Sequence, residues 1–118
     1  MVEFEYRQKI AKAVSPELPS EQVLYSGRGQ SGDFQLNPVL LELHKNRDLP
    51  LATVLIGVVE YEQSPRVILT RRSENLKKHS GQVAFPGGKV DDTDPSPLDA
   101  VLRETEEEIG LTSGYIDI

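Results

Sequence analysis

At 118 residues the chain is sized for one domain. Its net charge of -6 argues against nucleic acid as a partner, because that calls for a basic face. The absence of cysteine excludes disulfides and thiol chemistry and suits a reducing compartment such as the cytoplasm, the expected location.

In chain order, residues 3–14 place Phe4, Ile10, Ala11, Ala13 and Val14 at near-helical spacing, and Ser15-Pro16 stops the turn. This predicts a short helix. The first ten residues, MVEFEYRQKI, hold no apolar run of the signal-peptide type. Residues 20–37 are broken by glycine and serine and read as loop. Residues 39–44 fit a strand or one helical turn, and residues 47–50 read as a linker. Residues 1–50 are thus an N-terminal helical and loop extension, and residues 51–118 carry the domain.

Residues 52–61, ATVLIGVVEY, form a β-branched, buried-type strand. A turn at 62–65 leads to a second strand at 66–71, and residues 83–85 make a short third. The longest apolar stretch, residues 51–59, is far too short to span a membrane. Residues 94–97 are turn chemistry. Ser96 then serves as N-cap, with Pro97 at the first helical position and Asp99 at the third. The helix runs to about Ile109 and stops at Gly110. Residues 115–118 look like a strand beginning.

This last helix carries the chemistry. A helix advances about 100° per residue, so Val101, Leu102, Thr105 and Ile109 fall within roughly 60° of Leu98. They predict a core-facing stripe. Glu104 and Glu108 lie about 40° apart on another flank, and Glu107 about 100° from Glu108. An acidic run can be no more than a solvated face. Here, however, Glu104 and Glu108 repel at i, i+4, and the acids crowd the helix end that the macrodipole disfavours. A hard divalent cation would relieve that repulsion, since Mg²⁺ and Mn²⁺ take oxygen ligands. The pair Glu104 and Glu108 can share one ion. A carbonyl of Gly87 or Gly88 can approach the same ion without a Cβ in the way.

The string from Gly88 to Leu111 resembles the Nudix box, G-x5-E-x7-R-E-U-x-E-E-x-G-U, with U an apolar residue. Its second half matches at Arg103, Glu104, Glu107, Glu108, Gly110 and Leu111. Thr105 stands where an aliphatic residue is usual. The first half is one residue longer than the general box. Its early glutamate position falls at Pro95, with Asp94 beside it, so spacing assigns that role to no residue. Upstream, Ile68-Leu69-Thr70-Arg71-Arg72-Ser73, Lys77, Gly81 and Phe85-Pro86-Gly87-Gly88 are similar to the coenzyme A pyrophosphatase signature of that family, LLTxR-S/A-x3-R-x3-G-x3-FPGG. Ile68 replaces a leucine and Lys77 an arginine. The lysine keeps the charge and loses the bidentate fork.

The resemblance implies an α/β fold, the Nudix α/β/α sandwich with a mixed sheet. Further strands and a second helix would follow the box, so the chain is expected to be an N-terminal portion of such a domain. The implied activity is hydrolysis of the diphosphate bond of coenzyme A or acyl-coenzyme A with Mg²⁺ or Mn²⁺. The products would be 3′,5′-ADP and the 4′-phosphopantetheine part. Glu104, Glu107 and Glu108 would be catalytic metal ligands, Glu107 for a second ion or through water. Arg103 would orient a glutamate by a salt bridge. Arg72 and Lys77 would meet the substrate's phosphates, beside Gly87 and Gly88. The partner is a small molecule, not nucleic acid or membrane, and a homodimer is compatible. Two alternatives stand: hydrolysis of another nucleoside diphosphate derivative (ADP-ribose, a nucleotide sugar, a nucleoside triphosphate), or a non-catalytic fragment.

Overall fold

The computed structural model describes residues 2–17, 50–62, 64–75, 77 and 80–118. Contacts divide the chain into two units, Met1–Leu49 and Pro50–Ile118. In the first, helix α1 spans Val2–Ala13, as its spacing predicts. A Glu5–Lys9 ion pair at i, i+4 supports it (2.7 Å). Past its end, the Ser15 hydroxyl accepts from the Glu17 N–H (3.3 Å). The loop and linker expected over residues 20–49 lie outside the described residues.

The second unit holds six short strands: β1 (Ala52–Val54), β2 (Val58–Val59), β3 (Arg66–Val67), β4 (Thr70–Arg71), β5 (Val83–Ala84) and β6 (Gly87–Lys89). The expected strand at 52–61 is split into β1 and β2 and that at 66–71 into β3 and β4, whereas β5 falls within the expected 83–85 strand and β6 lies beyond it. The breaks follow from the pairing. β1 pairs with β6, β2 with β3 and β4 with β5, so each long segment bends from one neighbour to the other. Backbone bonds continue the pairing through the bends. Leu55 N–H donates to Pro86 (2.7 Å), Ile68 N–H to Gly57 (2.9 Å) and Arg72 N–H to Gln82 (2.8 Å). Pro86 has no N–H to return, which suits it to a bend. Residues 87–89, outside the expected strands, are strand β6.

The mixture of helices and small sheets is the expected α/β class, and the three strand pairings among the described residues are antiparallel. A parallel pair needs a long crossover, and no described helix separates β1 from β6.

Helix α2 spans Pro97–Ile109. Ser96 caps it in an extended conformation, accepting from the Asp99 N–H (3.1 Å) and donating to the Asp99 carboxylate (2.5 Å). The usual box would return that carboxylate to the cap's own N–H. At the other end Gly110, at φ 69°, donates its N–H to Glu106 (2.8 Å) and stops the helix. The following residues form a 3₁₀ turn, Ser113–Tyr115, where a strand was expected to begin.

Helix α2 packs on β1 and β6. Its buried residues are Ala100, Val101 and Thr105. Measured from Leu98 they stand at about 200°, 300° and 340°, with Glu104 between them at about 240°. Val101 and Thr105 belong to the expected stripe, but the packed face is turned from it toward Ala100 and Glu104. Leu98 and Ile109, its two ends, are each 39% exposed. Thr105 is fully buried, and its hydroxyl donates to the Val101 carbonyl one turn back (2.7 Å). That bond satisfies the only polar atom that an aliphatic residue would have lacked.

Candidate active site

The rotation of α2 turns Glu104 toward the strands. Its side chain is only 19% exposed. It fits there because residue 88 is glycine. A Cβ at Gly88 would fall 2.5 Å from the Glu104 carboxyl carbon and 2.7 and 2.8 Å from its oxygens. The carboxylate thus occupies the space that any other residue at 88 would fill. Gly87 is as constrained: at φ 149°, a Cβ there would run into the Thr53 carbonyl.

Arg103 joins the helix to the turn that precedes it. Its Nε and Nη2 donate to the two oxygens of Asp94, each at 2.8 Å. Nη2 also reaches the Lys89 carbonyl (3.2 Å). Nη1 donates to Glu104 (3.1 Å) and Glu107 (3.3 Å). Asp91 completes the surround, 3.4 Å from Nη2. Bidentate arginine–carboxylate pairs are among the stronger side-chain hydrogen bonds. The Arg103 bonds and the Asp91 N–H hold the Asp94 carboxyl at about 2, well below its ordinary 3.8. The same pairing raises the Arg103 pKa, so this guanidinium stays charged.

The structure therefore brings together Gly88, Arg103, Glu104 and Glu107. Glu108 is exposed and has no hydrogen-bond or ion-pair partner among the described residues. Arg72 and Lys77 are exposed, and no such bond ties them to the glutamates. Arg71 is spent on Glu74 (2.8 Å). Lys78 and His79 lie outside the described residues.

Two residues escaped the sequence reading. Asp94 had a signal, its place beside the early glutamate position. Thr53 had none. It stands opposite Gly88 in the β1–β6 pairing, and its buried hydroxyl has no hydrogen-bond partner.

The residues suit a hard cation in chemistry. They offer carboxylate oxygens only, one of them seated in a cradle that a Cβ would fill, with an orphan hydroxyl on the strand behind. Among the described residues no three acidic or imidazole groups converge as a ready ligand set. Arg103 already engages Glu104 and Glu107 by hydrogen bonds. No described helix is long and apolar enough to cross a membrane.

Residues 50–118 match the family model of the NUDIX domain. Over 90 residues the chain is 48% identical to a protein of Shigella flexneri serotype 5b (strain 8401) described as an uncharacterized Nudix hydrolase NudL. That alignment covers 73% of this chain and 46% of the relative. A protein of Escherichia coli (strain K12) with the same description is 52% identical over 67 residues, 57% of this chain and 34% of its own length. The chain thus spans less than half the length of these relatives. With the domain model matching more than half of its residues, and Arg103, Glu104, Glu107 and Glu108 at the box spacing on one helix, the chain belongs to the Nudix family.

Proposed function

We propose that the protein acts in metal-dependent hydrolysis of the diphosphate bond of coenzyme A or acyl-coenzyme A, releasing 3′,5′-ADP and the 4′-phosphopantetheine part. The observation that carries the reading is the Glu104 carboxylate seated against Gly88, beside Glu107 and Glu108 on one rigid helix. The segment from Ile68 to Gly88 supports the coenzyme A class, through its likeness to the signature of that branch.

Glu104, Glu107 and Glu108 would hold Mg²⁺ or Mn²⁺, which when bound neutralises charge on the phosphate oxygens. Glu104 is positioned by Gly88 beneath it and Arg103 beside it. Glu108, exposed on the same flank, is open to the solvent from which substrate comes. Arg72 and Lys77 supply mobile positive charge for a phosphate remote from the scissile bond. They sit on the loop side of β4, exposed, where a long side chain can follow the ligand. Positive charge there also counters the repulsion between an acidic protein and a polyanionic substrate.

A substrate panel tests the assignment. Coenzyme A, ADP-ribose, a nucleotide sugar and a nucleoside triphosphate are incubated separately with the protein and Mn²⁺. Coenzyme A should be turned over at least tenfold faster than the others. Preference for another compound would overturn the substrate class and leave the family intact. Glu108→Gln should lower the rate by about 10² or more with the melting temperature little changed, because the residue is exposed. Equal loss of fold would remove Glu108 from the ligand set.

A further inference from the structure

We propose that Thr53 is a positioning residue, its hydroxyl the strand-side donor that fixes the Glu104 carboxylate when a divalent cation is bound. The inference rests on the metal reading above.

The strand register places Thr53. It stands directly opposite Gly88 in the β1–β6 pairing. Opposite residues of an antiparallel pair share a face, with Cβ positions about 5 Å apart. At position 88 that face carries the Glu104 carboxylate, whose carbon lies 2.5 Å from where a Cβ would stand. The Thr53 side chain therefore flanks the seat of the carboxylate, under α2. Burial agrees. Leu55, two residues on and on the same face, is buried, whereas Ala52, Val54 and Ile56 on the other face are exposed.

A buried hydroxyl calls for a partner. That of Thr105 donates to the carbonyl one turn back in its own helix. A strand offers no such carbonyl, because its backbone groups are turned to the neighbouring strand. The ladder continues on both sides of Thr53, with the Val90 N–H donating to Leu51 (2.9 Å) and the Leu55 N–H to Pro86 (2.7 Å). The Thr53 hydroxyl is left buried and without a hydrogen-bond partner. An unmet buried donor costs stability that a valine of the same shape would not lose. Positions where a local rule is broken without a local gain are where function is expected.

The packed face of α2 offers one acceptor. Ala100 and Val101 bring no polar side-chain atom, and the Thr105 hydroxyl already has its bond. Glu104 remains. Its Oε1 accepts from Arg103 Nη1 (3.1 Å), and no hydrogen bond from a described residue reaches Oε2. Nη1 is also shared with Glu107 (3.3 Å), so the arginine alone holds Glu104 loosely. A carboxylate has about four acceptor positions, enough for an arginine, a hydroxyl and a cation together. Donors from two different elements fix the plane of a metal-binding carboxylate, which one donor leaves free to turn. Arg103 supplies the donor on the helix side and Thr53 the donor on the strand side.

The test compares the 118-residue wild type with Thr53→Val, Thr53→Ser and Thr53→Ala. Each is melted without metal, and its Mn²⁺ affinity is read from the loss of the free-ion paramagnetic resonance signal. Thr53→Val should bind Mn²⁺ about tenfold more weakly than wild type, the size of a lost hydrogen bond to a charged group. Thr53→Ser keeps the hydroxyl and should bind within about threefold of wild type. The metal-free melting temperature of Thr53→Val should not fall, since the hydroxyl removed has no partner in the fold. A fall of several degrees would mean that the hydroxyl is already engaged, and overturns the inference. A structural role alone leaves the affinity unchanged, so Thr53→Val within about twofold of wild type overturns it as well. So does Thr53→Ser as weak as Thr53→Val. Should Thr53→Val not fold, Thr53→Ser and Thr53→Ala decide, because both lack the methyl and they differ in the hydroxyl. Binding about fivefold tighter or more by Thr53→Ser supports the inference, and a smaller difference overturns it. A wild type that binds no Mn²⁺ sinks the metal reading itself, and this inference with it.

Discussion

Gly88 and Glu104 are tightly coupled residues of the site. The Glu104 carboxyl carbon lies 2.5 Å from where an alanine Cβ would stand at position 88. The strand backbone cannot yield there, because it is paired with β1. The end of the glutamate is the part that can move. Gly88→Ala should therefore remain folded and displace the carboxylate by about an ångström, enough to cost about 10² in rate. A melting curve and a rate measurement on the same sample check this. A full-rate Gly88→Ala would place the chemistry away from Glu104. The Asp94–Arg103 pair makes a second prediction at this scale. The Asp94 pKa is depressed in the folded protein, so the pair stabilises the fold above the ordinary carboxylate value of 3.8. That contribution is lost as pH falls through about 2. The melting temperature of wild type should fall between pH 4 and pH 2 more steeply than that of Asp94→Asn. Parallel curves would show that the pair contributes nothing to the pH dependence.

Helix α2 was the most legible element, and its reasons are local. Ser96, Pro97 and Asp99 mark its start and Gly110 its end, and all four stand where capping chemistry puts them. Ser96→Ala removes the acceptor of the Asp99 N–H and should cost about 1 kcal/mol in a denaturant melt. A shift of a few tenths at most would mean that Asp99 caps the helix without it. The face of the helix was not legible in the same way. Apolar spacing centred it on Leu98, whereas packing centres it between Ala100 and Thr105. A stripe of large apolar residues predicts burial only if the opposing surface takes large side chains. Here the opposing surface includes Gly87 and Gly88, which admit the backbone of α2 closely and favour Ala100 and a half-buried glutamate. The strands repeat the lesson. Three β-rich segments were readable from Val, Ile and Thr. Their bends were not, because a bend depends on which partner each half of the segment meets. The acids at 104, 107 and 108 could be read as a group and Arg103 as a salt-bridge partner to one of them, but no spacing rule placed Asp94 against that arginine.

Over the whole of the second unit, burial is shallow. Among the described residues, Leu55, Pro86, Ala100 and Val101 are the buried apolar ones, while Val54, Ile56, Leu69 and Val83 are each more than half exposed. Residues 54, 56 and 58 alternate along one segment, and all three are exposed. An apolar surface of this kind promotes association. Ile56→Thr with Val83→Thr should raise solubility while changing stability by no more than about 0.5 kcal/mol. Light scattering and a denaturant melt check the pair, and a large loss of stability would show that these side chains are covered in solution. The same shallow core explains why the family was readable in sequence before the architecture was. Motif residues occupy one helix and one strand, and their spacing survives in any chain that forms those two elements.

The central claim is that this chain carries a metal-dependent diphosphatase site for coenzyme A. Its most direct test is chromatography of coenzyme A incubated with the 118-residue protein and Mn²⁺. The account predicts 3′,5′-ADP, with none formed in the presence of a chelator. A folded sample that forms no 3′,5′-ADP, or forms it equally well with the chelator present, would contradict it.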